Sequence, residues 1–335
     1  MKKLRLGKTN LYVTKNGFGA LPIQRVDYDT AVHILRKAYE GGINYFDTAN
    51  FYTDSEEKIG LALADVRENI IISSKTMGKT PEEFWAHLDN SLKMLKTDYI
   101  DIYQFHNPAY CPMPGDGTGM YEAMLEAKAQ GKIRHIGISS HRLSVAEQAV
   151  KSGLYETLQF PFSYLASEKE EALVRLCEAH DVGFICMKAL SGGLITHSDI
   201  AYAFLDKYPV APIWGIQRES ELDEFLSYTE ANAPVLTKEM EDFIEEERKA
   251  LSGEFCRGCG YCSPCPAGIE IHACARMSLM LRRAPLSEYL TDASTEMMKK
   301  IEDCTGCGQC KARCPYGLDI PNLLKRNYED YKTFL

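Results

Sequence analysis

The chain has 335 residues, 45% hydrophobic and 25% charged, an ordinary balance for a soluble globular protein with room for one large domain and a small one. Its formal charge of −9 is unevenly spread. From Leu251 onward 11 Lys and Arg face 10 Asp and Glu, so about −10 rests on the first 250 residues, which argues against nucleic acid as the main partner. The opening Met1-Lys2-Lys3-Leu4-Arg5-Leu6-Gly7 has no apolar run behind it, and no stretch approaches the length of a membrane span. Neither a signal peptide nor a membrane partner is expected, and the location read is cytoplasmic.

In chain order, Leu4 to Val13 around Gly7-Lys8-Thr9-Asn10 predicts a β-hairpin. Short apolar runs then alternate with amphipathic stretches of helical length. The strands predicted are Gly17–Ala20, Tyr45–Asp47, Ile70–Lys75, Ile100–His106, His135–Ser139, Thr157–Phe160, Gly183–Met187 and Pro212–Trp214. Helical patterns fall between them at Asp29–Glu40, Ser55–Ala64, Pro81–Leu95, Met120–Gln130, Ser144–Ser152 and Glu168–His180. Gly41-Gly42 and Gly131 are expected to close helices in the left-handed conformation. Eight strand–helix units predict an α/β fold, a closed (β/α)₈ TIM barrel. A doubly wound sheet is the alternative, and no early Gly-x-Gly-x-x-Gly turn supports it. A helical linker from Thr237 to Ala250 leads to a cysteine-rich tail, giving domains 1–250 and 251–335 with a boundary near Ser252-Gly253.

Catalytic groups of such a barrel sit at the C-terminal ends of its strands. Four polar residues fall there: Asp47 and Tyr52 in Tyr45-Phe46-Asp47-Thr48-Ala49-Asn50-Phe51-Tyr52, Lys75 in Ser73-Ser74-Lys75, and His106 in Gln104-Phe105-His106-Asn107-Pro108. This set resembles the Asp–Tyr–Lys–His tetrad of the aldo-keto reductase family, over nearly all of residues 1–250. A carbonyl accepting a hydride needs a proton or a strong donor for its developing alkoxide. A free tyrosine, with a pKa of about 10, exchanges protons poorly near neutrality, and a neighbouring ammonium favours its phenolate. In that reading Lys75 activates Tyr52, Asp47 holds Lys75 charged and in place, and His106 orients the substrate oxygen. A structural Lys–Asp pair and a satisfied core histidine are the bland alternatives.

The resemblance further implies a nicotinamide dinucleotide, NAD(P)(H), across the barrel mouth without a Rossmann fold. Gly137-Ile138-Ser139-Ser140-His141 matches the family's Gly-x-Ser-Asn segment, with Ser140 in place of the usual Asn, and Gln159 would join Ser139 on the carboxamide. Met187, in Cys186-Met187-Lys188-Ala189-Leu190, stands where many members stack a Tyr on the ring, and Lys188 and Leu190 are counted with it as cofactor contacts. Gly215, Gln217, Arg218, Glu221 and Glu224, in the segment Gly215–Glu224, match the adenosine-binding loop and the helix after it. A 2′-phosphate there would meet a helix N-terminus and Arg218, but also Glu221, where NADP-using members often carry Arg or Gln. The choice between NADH and NADPH stays open.

Nine of the 12 cysteines lie after residue 250, which in a cytoplasmic chain signals metal or redox chemistry more than disulfides. Cys256-x2-Cys259-x2-Cys262-x2-Cys265-Pro266 is followed by Cys304-x2-Cys307-x2-Cys310-x3-Cys314-Pro315, and the second run matches the bacterial ferredoxin pattern. In two-cluster ferredoxins the fourth cysteine of such a run serves the other cluster. By that logic Cys256, Cys259, Cys262 and Cys314 hold one [4Fe–4S] cluster and Cys304, Cys307, Cys310 and Cys265 the other. One cluster, or two zinc sites, are the alternatives. Ile271–Lys300 is mostly helical in pattern, so the tail resembles the α-helical ferredoxin-like extension of some aldo-keto reductases. Cys274 reads as a packed thiol, or as a ninth ligand.

The function expected is a cytoplasmic oxidoreductase of an anaerobe that interconverts a small carbonyl and an alcohol. Hydride transfer moves two electrons and each cluster one, so coupling them would need a converter such as a flavin, for which no motif is seen. The clusters are then structural, sensory, or exchange electrons with a ferredoxin or other redox partner. A ferredoxin-linked enzyme with a further cofactor and a non-catalytic electron-transfer or sensor subunit are the alternatives. The loop Asn107–Gly119, with Tyr110 and Met113, is expected to cover the pocket.

Overall fold

The computed structural model describes residues 1–251, 255–283 and 286–335. The boundary expected near Ser252-Gly253 lies outside the described residues. Two compact units emerge: Met1–Ala189 with His197–Glu241, and Leu190–Thr196 with Asp242–Leu335.

The first unit opens with β1 (Lys3–Arg5) and β2 (Tyr12–Thr14), which pair antiparallel with Leu4 opposite Val13 around a short turn at Gly7–Thr9. Leu6 and Val13 from this hairpin pack with Ile102, Ile185 and Ile213, closing the barrel floor. Burying each such side chain contributes about 1.5–3 kcal/mol. Gly7 is required here: its φ is +53°, and a Cβ would collide with the backbone of Gly183.

Eight parallel strands then close into a barrel: β3 (Gly17–Gly19), β4 (Tyr45–Asp47), β5 (Ile71–Thr76), β6 (Ile100–His106), β7 (Ile133–Ser139), β8 (Thr157–Pro161), β9 (Gly183–Met187) and β10 (Val210–Gly215). The order around the barrel follows the chain, with β10 returning to β3. Register brings Asp47 opposite Ser73, Lys75 opposite Gln104, and His106 opposite Ser139. The predicted polar residues therefore sit at one end of adjacent strands.

Local signals start the surrounding helices. Asp27 accepts the backbone N–H of Thr30 to begin Tyr28–Glu40, and Thr80 with Pro81 begins Pro81–Leu95. Ser167 and Glu170 form a reciprocal capping box for Glu168–Ala179. Gly42 and Gly131 take positive φ as expected, but Gly41 is right-handed, so the turn after Tyr28–Glu40 rests on Gly42 alone. Trp214 stacks on Phe225 at 4.4 Å between ring centroids, fixing the helix Glu219–Ser227 against β10.

The second unit is helical, with Ile271–Cys274, Met277–Arg283, Asp292–Lys299, Gln309–Arg313 and Ile320–Lys332 following the linker helix Lys238–Ala250. Its core gathers Ile271, Cys274, Met277, Met298, Leu324 and Tyr331. Among the described residues, no helix is long and apolar enough to cross a membrane.

Candidate active site and cysteine centres

At the C-terminal end of β5, Lys75 is 1% exposed and donates to both carboxylate oxygens of Asp47, at 2.8 and 2.9 Å, and to the Thr48 carbonyl at 2.6 Å. Burial lowers the Lys75 pKa, and the Asp47 charge works against that. Ser73 donates to Asp47 Oδ1 at 2.6 Å and lies 3.0 Å from the Tyr45 hydroxyl. Gln159 Nε2 donates to Asp47 Oδ2 at 3.3 Å, while its oxygen accepts from Gln104 Nε2 at 2.8 Å. The carboxylate is thereby held by two strands besides its own, β5 and β8, so the ammonium is aimed rather than merely neutralised.

Tyr52 follows β4 in the loop before the helix Ser55–Leu63. Its ring centre lies 5.2 Å from Lys75 Nζ, and its ring meets His106 edge to face at 5.7 Å. The structure thus brings all four tetrad residues together. Burial pushes the His106 pKa down to about 3, and the Lys75 charge pushes the same way, so the imidazole is neutral at physiological pH. Its Nδ1 is buried with no hydrogen-bond partner among the described residues, and the same holds for Gln104 Oε1. Orphaned polar atoms of this kind suit a bound carbonyl or amide group.

Ser139, Ser140 and Gln159 are buried at the ends of β7 and β8, and Met187 ends β9, so the residues expected around a nicotinamide ring the same mouth. Ser140 Oγ is engaged with Arg142, accepting its N–H at 3.0 Å and donating to its carbonyl at 3.1 Å. Lys188 has a φ of +57° just after β9. Leu190, expected with them, groups with the second unit.

Gly215 ends β10, and Glu221 then reaches back to accept the backbone N–H groups of Gln217 and Arg218, each at 3.0 Å. Arg218 also pairs with the Glu221 carboxylate at 2.7 Å. The position expected to meet an adenosine phosphate therefore already carries a carboxylate. Glu224 accepts the Ser198 hydroxyl.

The loop after His106 is braced from within. Tyr155 donates to the Pro112 carbonyl at 2.6 Å, and Asp116 accepts from Met113 and Thr118. Cys111 is buried, whereas Tyr110 is exposed.

In the second unit, Cys256 and Cys262 are buried and share an electrostatic neighbourhood with Cys259 and Cys314. A cavity is lined by Cys265, Cys304, Cys307 and Cys310 together with Cys262. Both cysteine runs carry glycines on either side of their second cysteine, Cys259 and Cys307. Gly258, Gly260, Gly306 and Gly308 all have positive φ, which turns each loop around its thiols. The backbone N–H of Gly258 donates to Cys256 Sγ at 3.4 Å. Two sets of four soft donors wrapped by such loops fit thiolate-ligated clusters. Cys274 packs in the core with its thiol pushed up to about 11 by burial, the behaviour of a packed cysteine. Spacing alone did not point to Ser73, Gln104 or these glycines. The repeated C-x-G-C-G-x-C pattern was the available signal for the last.

Comparison with known proteins gives two family matches: the aldo/keto reductase family over residues 15–207 and a 4Fe-4S dicluster domain over residues 255–319. The chain is similar to the uncharacterized oxidoreductase YqkF of Bacillus subtilis, 32% identical over 61% of this chain and 69% of that one. It is 30% identical to L-galactose dehydrogenase of Arabidopsis thaliana over 57% of this chain and 66% of that protein. In structure it resembles an aldo-keto reductase from Bacillus halodurans in its holo form, with a TM-score of 0.65 at 26% identity, covering 76% of this chain and 98% of that one. An aldo-keto reductase from Klebsiella pneumoniae in complex with NADPH gives a TM-score of 0.63 at 25% identity, covering 73% and 94%.

Proposed function

Because the chain belongs to the aldo/keto reductase family, an oxidoreductase family, we propose that it interconverts a small carbonyl and an alcohol with NAD(P)(H) at the mouth of its barrel. The nicotinamide, when bound, supplies or accepts the hydride. Tyr52 gives the substrate oxygen its proton, with the Lys75 ammonium stabilising the phenolate that forms. Asp47, fixed by Ser73, keeps that ammonium charged in a buried place. His106, neutral, donates a hydrogen bond to the substrate oxygen and sets its orientation without adding charge. Ser139 and Gln159 hold the carboxamide, Ser140 lines the same edge, and Met187 and Lys188 pack beside the ring. Gly215, Gln217, Arg218, Glu221 and Glu224 lie at the adenosine end.

The observation that carries this reading is the buried Lys75–Asp47 pair at 2.8 Å beneath Tyr52, whose ring edge meets His106. Replacing Tyr52 with Phe is expected to lower turnover by at least about 10²–10⁴-fold while leaving nucleotide binding nearly intact. Turnover unchanged in Tyr52→Phe would remove the assignment.

In the same reading residues 1–250 carry the carbonyl chemistry and residues 251–335 the clusters. Two [4Fe–4S] clusters are assigned, one to Cys256, Cys259, Cys262 and Cys314, the other to Cys304, Cys307, Cys310 and Cys265. The exposed Cys307 supports electron exchange between the second cluster and a ferredoxin or similar outside partner. The location proposed is cytoplasmic.

A further inference from the structure

Arg276 stands apart from the other cations of the cysteine-bearing unit. It lies between the helices Ile271–Cys274 and Met277–Arg283, partly buried. One end of its guanidinium is fixed, with Nη2 donating to the Gly192 carbonyl at 2.7 Å and the Ser191 carbonyl at 3.3 Å. Nη1 presses against Gly258: a Cβ on that glycine would lie 2.8 Å from it. Gly258 sits between Cys256 and Cys259, so the guanidinium reaches the loop that wraps the first set of thiols. No carboxylate pairs with Arg276 among the described residues, and its Nε is buried without a hydrogen-bond partner.

The second set of thiols has a different setting. Cys307 is exposed, and of the surface cations nearby Lys300 pairs with Asp303 at 2.6 Å and Lys311 with Asp319 at 3.3 Å, while the exposed Arg313 donates to the Pro264 carbonyl at 3.0 Å and to Gln309 at 3.2 Å. Exposed, paired charges have little reach through solvent. Arg276, partly buried and with no carboxylate partner among the described residues, acts through a lower dielectric than these.

We infer that Arg276 is a positioning and tuning residue for the cluster on Cys256, Cys259, Cys262 and Cys314, raising its reduction potential above that of the other cluster. This inference rests on the cluster reading above. Uptake of one electron makes a thiolate-ligated cluster more negative by one charge, and potentials respond to net charge and to hydrogen bonds at sulfur. A fixed cation favours the reduced state, and Nη1, which lies against Gly258 in the thiol loop, would be the nearer donor to a cluster sulfur. With this arrangement the inner cluster is the electron sink, and the outer, exposed cluster is the point of exchange with solvent and partners.

The test is a redox titration of anaerobic full-length holoprotein, with dithionite as electron donor and EPR as the readout, preceded by iron and sulfide analysis. Arg276→Gln is expected to shift one midpoint potential negative and leave the other in place, while Arg276→Lys, which keeps the charge, stays closer to the wild type. Full iron content with neither potential moved overturns the inference alone, and so does a shift in Arg276→Lys as large as in Arg276→Gln. Iron and sulfide too low for any cluster in the wild type overturn the cluster reading itself. If Arg276→Gln loses iron, the wild-type protein labelled with ¹⁵N-arginine decides. A ¹⁵N hyperfine coupling to the reduced cluster that disappears in Arg276→Lys is expected, and its absence refutes the contact.

Discussion

His106 offers a direct check on the electrostatics of the barrel mouth. Its folded pKa of about 3 lies well below the ordinary 6.5, because burial and the Lys75 charge both oppose the imidazolium. The unfolded chain therefore binds a proton that the folded chain refuses. Stability from this group is fully present above pH 6.5 and is lost as the pH falls toward 3. The slope is about 1.36 kcal/mol per pH unit, so the full shift corresponds to at most about 5 kcal/mol. The ring is not wholly enclosed, and solvent screening sets the expected loss nearer 2–4 kcal/mol. His106→Gln removes this titration. Urea unfolding between pH 8 and 5, followed by tryptophan fluorescence from Trp214 in its stack on Phe225, should show wild type losing about 1–2 kcal/mol relative to the variant below pH 6.5. Two curves that stay parallel across that range would refute the reasoning, because His106 would then titrate as it does in water.

Two further outcomes follow from named contacts. Glu221 holds Gln217, Arg218 and the start of its helix, so Glu221→Gln should remove a repelling charge and free Arg218. Fluorescence titration is expected to show NADPH binding tightening about tenfold relative to NADH, roughly 1.4 kcal/mol, and an unchanged ratio would place the adenosine phosphate elsewhere. Glu156 resists the cost of its burial because His135, Lys128 and the Ile136 N–H hold its carboxylate, with a pKa of about 2 against 4.5. Its contribution, about 3 kcal/mol, is present above pH 4.5 and lost as the pH falls toward 2. Glu156→Gln should be less stable at pH 7, with the gap to wild type closing over that acid window in chemical unfolding; a gap independent of pH would contradict the ion-pair account.

Much of the barrel was legible because its strands are short apolar runs with sharp ends. Ile100–His106 and Gly183–Met187 have the predicted bounds. Where the prediction fell short, a polar or restrictive residue interrupted the run. The strand read from His135 begins at Ile133, since Arg134 faces outward and reaches Asp101 at 3.0 Å. The strand read from Pro212 begins at Val210, with the proline inside it rather than at its start. The four candidate residues could be read because Asp47, Lys75 and His106 lie at or next to strand ends and Tyr52 follows in the loop after β4. Ser73 and Gln104, which fix Asp47 and Gln159, look like ordinary inward-facing strand residues, and only the barrel's closure reveals what they touch. The cysteine spacing marked the candidate cluster ligands in the same local way. Arg276 had no such signature: it lies 20 residues from Cys256 in sequence, and its relation to Gly258 exists only in the folded unit.

The central claim is direct hydride transfer at the barrel mouth, and isotope transfer tests it most directly. Anaerobic holoprotein would be given NADH or NADPH deuterated at C4 with a panel of small aldehydes, ketones and sugars, and the alcohol products examined by mass spectrometry. One deuterium in the product per labelled hydride consumed is the predicted result, lost together with turnover in Tyr52→Phe. Nucleotide oxidation that leaves the product unlabelled, with the electrons appearing instead on the iron–sulfur clusters, would contradict the account.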